Sequence, residues 1–206
     1  MGLEMLENII HGSTSYTNAG TYSFTVPAFV TRLLVFACGG GGGCGNDGSG
    51  FMGGGGGGGG GILYANVSPG QIIPITIGAG GASPDSSTVG AGNNGEATTI
   101  LGFTFGGGIG GGEDTGGEGG SVTGSGASVT MSNVSTGGSG MYEQAGTGYP
   151  APNSGWCFLT GNGPSEGPAG GFTGGASPLA VQGSGYGMGS QSVGLPGVQG
   201  AVYLYW

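Results

Sequence analysis

From residue 21 onward, apolar and polar residues alternate with a period of two, the pattern of half-buried β-strands. Tyr22, Phe24 and Val26 alternate with Thr21, Ser23 and Thr25, and Pro27 stops the run. Thr31 to Ala37 is apolar on both faces, at Leu33, Leu34, Val35 and Phe36, which predicts a central strand. Ile62 to Val67 and Gln71 to Ile77 flank Ser68-Pro69-Gly70-Gln71, where Pro and Gly occupy the two central positions of a type II turn. A hairpin is therefore expected there. Short strands are predicted over Thr98 to Leu101 and Phe103 to Phe105. At the end, Val202, Leu204 and Trp206 alternate with Tyr203 and Tyr205, so the first and last strands are expected to be partners in one small sheet structure. Ahead of the strands the period is helical: Leu3, Leu6 and Ile10 recur opposite Glu4, Glu7 and Asn8. A helix of one or two turns is too short to be stable alone, so something must hold it.

Between the strands the side chains nearly disappear. Glycines cluster at 39–43, 53–61, 78–81, 106–112, 116–120, 137–140, 161–175 and 183–200, and the chain has 60 in its 206 residues. Such a composition usually signals disorder. Disordered chains, however, are highly charged and poor in aromatics, whereas here 5% of residues are charged and 9% aromatic. Stretches such as Gly194-Leu195-Pro196-Gly197-Val198-Gln199-Gly200 keep a three-residue phase and then break it. Three residues per turn is the polyproline II repeat, whose backbone groups point outwards and whose close lateral packing only glycine permits. Neighbouring helices of this kind can satisfy each other's N–H and C=O groups. The expected fold class is all-β and irregular: a small antiparallel β-structure carrying a glycine-rich bundle, or slab, of polyproline II helices, with very little α-helix. Residues 1–19 are expected to form an attachment segment and 20–206 a single domain, with glycines 53 to 61 as interior helices.

Charge removes several function classes. The formal net charge is −9 and Arg32 is the only Lys or Arg, so the clustered cations needed for nucleic acid or for anionic membranes are absent. No apolar run reaches the length of a membrane span. The acidic N-terminus does not read as a signal peptide, and synthesis and assembly in a cytosol are expected. Cys38, Cys44 and Cys157 cannot all pair within one chain; a Cys38–Cys44 bridge and reduced thiols are both compatible with the sequence. With His11 as the sole histidine, no metal or other cofactor is expected. Glu113, Asp114, Glu118 and Asp85 lack calcium-loop spacing. The sequence has no G-x-S-x-G elbow and nothing that makes two carboxylates converge, so no enzyme activity is expected.

Several blocks together carry a family resemblance. Gly20-Thr21-Tyr22-Ser23-Phe24-Thr25-Val26-Pro27-Ala28 is followed by Val30-Thr31-Arg32-Leu33-Leu34-Val35 leading into poly-glycine. Then come Ser68-Pro69-Gly70-Gln71, Ile75-Thr76-Ile77-Gly78-Ala79-Gly80-Gly81, Gly92-Asn93-Asn94-Gly95 and a closing Gly200-Ala201-Val202-Tyr203-Leu204-Tyr205-Trp206. In order and spacing these blocks, from about Gly20 to Trp206, resemble the glycine-rich domain of bacteriophage tail-fibre and receptor-binding proteins, and are similar to the tip adhesins of T-even-like phages. The resemblance implies a virion tip domain whose loops recognise an outer-membrane protein or glycan on the host, possessing neighbouring fibre subunits as partners and homo-trimerisation as an option. The alternative is a structural virion protein, such as a head fibre, neck or decoration subunit, without receptor binding.

Rigid aromatics among polar and glycine neighbours suit a recognition surface. The candidates are Phe51, Met52, Met141, Tyr142, Tyr149, Trp156, Phe158, Phe172, Tyr186 and Met188; each could instead plug an end of the glycine bundle. Leu3, Leu6, Ile9 and Ile10 are the candidates for attachment to the virion.

Overall fold

The computed structural model describes residues 12–48, 51–126, 128–135, 142–144, 186, 187, 189, 190 and 195–206. Among them there is no helix. Two five-stranded antiparallel sheets form a sandwich. The first has the order β1 (Ser13–Tyr16), β12 (Ala201–Tyr205), β3 (Arg32–Cys38), β5 (Gly60–Asn66), β10 (Val129–Ser135). The second has the order β2 (Gly20–Thr25), β6 (Ile72–Ile77), β7 (Thr98–Ile100), β8 (Phe103–Phe105), β9 (Val122–Gly124). A two-stranded ribbon pairs β4 (Phe51–Gly53) with β11 (Tyr142–Gln144). The strand apolar on both faces, β3, is indeed the middle one of its sheet. β1 lies within the stretch expected to precede the domain, and pairs with β12 from Ser13↔Tyr205 to Tyr16↔Val202.

The period-two residues of both sheets meet in one core. Leu33, Val35, Leu63, Val202 and Leu204 from the first sheet face Phe24, Ile73, Ile75, Ile77, Ile100, Phe103 and Phe105 from the second. Each such buried side chain contributes about 1.5–3 kcal/mol. The turn at Ser68 forms as expected, with Gln71 N–H donating to the Ser68 carbonyl at 3.0 Å and Gly70 at a φ of 77°. The expected hairpin does not: β5 pairs with β3 and β10, and β6 with β2 and β7. Both strands have a fully apolar inward face, so the turn carries the chain across the core instead of along one sheet.

Among the described residues seven of the ten sandwich strands run directly into or out of glycine segments, all on one side of the sandwich. There the segments pack laterally with a three-residue hydrogen-bond period. Segment 39–46 lies at the centre. Gly39, Gly42 and Gly45 donate to Gly59, Gly56 and Gly53; Gly40, Gly43 and Asn46 donate to Glu96, Asn93 and Gly90; Gly41 donates to Val198. In return Gly40 and Gly43 accept from Gly108 and Gly111, Gly41 accepts from Gly81, and Gly42 accepts from Ser190.

With three residues per turn, successive amides of a polyproline II helix point about 120° apart and the carbonyls fall between them. One helix can thus bond to six neighbours, three as donor and three as acceptor. Segment 39–46 does this, with donor and acceptor neighbours alternating around it. The neighbours close the ring through Gly56 to Ile109, Gly95 to Gly108, Glu96 to Ala79, Gly197 to Gly81, Gly187 to Gln199 and Gly58 to Gly187. Segment 115–121 packs outside the ring through Gly117 to Gly54, Gly120 to Gly57 and Ile109 to Glu118. The glycine region is thus a filled ring around one helix rather than a flat slab, and residues 53–61 are buried throughout.

Cys38 and Cys44 are both buried and not bridged. At about 3.1 Å per residue the polyproline II rise holds them about 19 Å apart, against the roughly 7 Å that a disulfide tolerates between Cα atoms. The first of the sequence's two options, a Cys38–Cys44 bridge, is thereby ruled out.

Candidate functional site

Every connection at the end of the bundle away from the sandwich must leave the glycine lattice, because a turn breaks the three-residue phase. Polar and apolar side chains therefore return there. Among the described residues the connections include 47–48 with 51–52, 83–89 and 113–114. Asn46, buried at the last bonded position of the central segment, organises the second of them. Its Nδ2 donates to the carbonyls of Thr88 (2.9 Å), Ser86 (3.3 Å) and Asp85 (3.4 Å), and its Oδ1 accepts from Gly48 N–H at 3.0 Å. Ser83 adds a second tie: its hydroxyl accepts from Cys44 N–H at 2.7 Å and donates to the Leu195 carbonyl at 2.6 Å.

The surface so formed mixes exposed aliphatic and acidic groups. Val89 is 54% exposed and Leu195 60%. Asp85, Ser86, Ser87 and Thr88 are exposed on the same loop, and Glu113 and Asp114 on the next. The first connection leads into β4, whose pairing with β11 sets Met52 opposite Glu143, Phe51 opposite Gln144 and Gly53 opposite Tyr142. Phe51, Met52 and Tyr142, expected from sequence as recognition residues, thus lie on one ribbon although about 90 residues apart in sequence.

Tyr186 lies at the other end of the bundle. It is half-buried, its ring centroid 6.3 Å from that of Tyr203, in a small cluster with Cys38 and Ala201 that plugs the join between sandwich and bundle. Burial, reinforced by Tyr186, pushes the Tyr203 hydroxyl above the ordinary tyrosine pKa. Of the remaining candidates, Met141, Tyr149, Trp156, Phe158, Phe172 and Met188, and also Leu3, Leu6, Ile9 and Ile10, fall outside the described residues.

Asn46, Ser83, Val89 and Leu195 were not singled out by sequence reasoning directed at aromatics. The turn-forming runs Asn46-Asp47-Gly48 and Ser83-Pro84-Asp85, each next to a glycine segment, are the signal that points to them. Among the described residues no three His, Cys, Asp or Glu side chains gather into a metal-binding group. A family model described as a glycine-rich domain matches residues 16–206. No curated protein matches the chain.

Proposed function

The chain belongs to the glycine-rich domain family, and we propose that it is a non-enzymatic tip protein of a bacteriophage tail fibre or spike that recognises a receptor on the host surface. The observation that carries this reading is the two-ended architecture. Gly12, where the N-terminal segment joins the body, exchanges hydrogen bonds with Trp206 at 2.9 and 3.0 Å. That is the end of the sandwich opposite the bundle. Residues 47, 48, 51 and 52 and loops 83–89 and 113–114 are carried by the hydrogen-bonded backbone lattice at the other end. Attachment through Leu3, Leu6, Ile9 and Ile10 would leave these loops facing outwards on a rigid mount, which keeps the ordering cost of binding low.

Charge refines the receptor class. Asp47, Asp85, Glu113 and Asp114 make the loop end acidic, so an anionic lipopolysaccharide would be repelled, and a protein or neutral glycan receptor is favoured. Replacing loop 83–89, or residues 141–158, with the equivalent stretch of a related phage is expected to change host range while the melting temperature stays within a few degrees. Unchanged adsorption after both replacements would remove the site. A protein present in particles that neither binds cells nor blocks infection would instead be a structural virion subunit.

A further inference from the structure

At the base of the sandwich, away from the bundle, two non-glycine residues take a positive φ, Phe29 and Leu101; Leu101 packs against the core, and Phe29 does not. Pro27-Ala28-Phe29-Val30 is a tight turn, closed by Val30 N–H donating to the Pro27 carbonyl at 3.3 Å. Its third residue has a φ of 70°, which such turns normally give to glycine or asparagine. In a chain with 60 glycines, that position holds phenylalanine. The side chain gains nothing from the fold, since Phe29 is 95% exposed. Backbone strain spent to display a large apolar group points to a contact made outside the molecule.

The same end carries a groove of about 550 Å³, open to solvent. Its apolar lining comes from Val67, Ile72, Ile73, Leu101 and Val129, and Ile72 is itself 67% exposed. Knob and groove are rigidly related. Val26 N–H donates to the Gln71 carbonyl, Gly70 N–H to Val26 and Val67 N–H to Thr31, each at 2.9 Å, which ties the Phe29 loop to the strand ends that line the groove.

Charge selects the occupant. Among the described residues the acids are Asp47, Asp85, Glu96, Glu113, Asp114, Glu118 and Glu143, all in the bundle or its outer loops. Among the described residues the base of the sandwich has none, and bears the single Arg32. Two chains of net charge −9 can therefore bring these described surfaces together without opposing carboxylates. We propose that this face is a self-association surface, on which Phe29 of one copy seats in the Ile72–Leu101 groove of a second copy.

Sedimentation of the purified full-length chain over a wide concentration range tests this. Wild type is expected to self-associate. Phe29→Gly should weaken association about thirtyfold, the effect of losing an aromatic hot spot, while its melting temperature is unchanged or higher because glycine suits the turn. Ile72→Glu, which blocks the groove, should also be monomeric, and mixing it with Phe29→Gly should restore pairing, since each variant keeps the half that the other lacks. A wild type that is monomeric throughout, a Phe29→Gly variant that associates normally or melts several degrees lower, or a mixture that stays monomeric would each overturn the proposal. The first of these would leave Phe29 to a different protein.

Discussion

At the scale of single residues, the bundle depends on the absence of Cβ atoms at particular points. A Cβ on Gly56 would collide with the backbone carbonyl of Glu118 on the neighbouring segment, whereas one on Gly90 would meet nothing within 4 Å. Gly56→Ala is therefore expected to cost about 3 kcal/mol, the upper end for overpacking, and Gly90→Ala close to nothing. Chemical denaturation of the two variants side by side checks this. That Gly56 is interior was legible from the sequence, because the nine-glycine run is bounded by strand-like residues. Which carbonyl blocks it was not, since segment 115–121 is brought there only by packing. The buried thiols give a second test. Burial pushes Cys44 up to about 11 from an ordinary 9.0. The folded state thus holds this proton more tightly than the unfolded chain, so its stabilising contribution is complete below pH 9 and disappears as pH rises towards 11. Tyr16 and Tyr203, both raised by burial, act in the same sense. Denaturation midpoints are expected to fall over that interval, and less steeply in Cys44→Ala; equal slopes would show that the thiol stays solvated.

At the scale of elements, sequence patterns located strands well where alternation was unbroken and poorly where it was not. The Ile73, Ile75, Ile77 alternation predicts β6, and the two-faced β3 is central as expected. β10 was missed because a register shift between Ser132 and Ser135 interrupts its alternation, and β1, an edge strand of sequence Ser-Thr-Ser-Tyr, is too polar and short to stand out. The turn at Ser68 was recognised correctly and its partners were not: turn chemistry fixes a change of direction, while the choice between pairing and crossing the core is made by which faces are apolar. Asn46 organises the outer loop 83–89. Replacing Asn46 with alanine removes the Nδ2 bonds to the carbonyls of Asp85, Ser86 and Thr88, at a cost of about 0.5–1.5 kcal/mol for each bond lost. Amide hydrogen exchange should then quicken across 83–90 while the sandwich strands keep their protection. Uniform loss of protection would mean that Asn46 supports the whole bundle.

At the scale of the whole molecule, a sandwich with an ordinary apolar core anchors strands that continue into a lattice held almost wholly by backbone hydrogen bonds. Side-chain chemistry is thereby pushed to the two ends. The composition made the bundle foreseeable, but the filled ring around segment 39–46 depends on the alternation of donor and acceptor neighbours, a property of the assembled helices. The candidate surface was legible in part: Phe51, Met52 and Tyr142 share a ribbon at the outer end, while Tyr186 belongs to the inner plug. The central claim is that the outer loops, presented on this rigid mount, recognise a host receptor. Its most direct test is competition: host cells are saturated with purified wild-type chain before the parent phage is added, and free phage is counted. Adsorption is expected to fall in proportion to receptor occupancy, with no such effect from a folded variant whose 83–89 and 141–158 stretches have been exchanged. Undiminished adsorption in the presence of saturating wild-type protein would contradict the account.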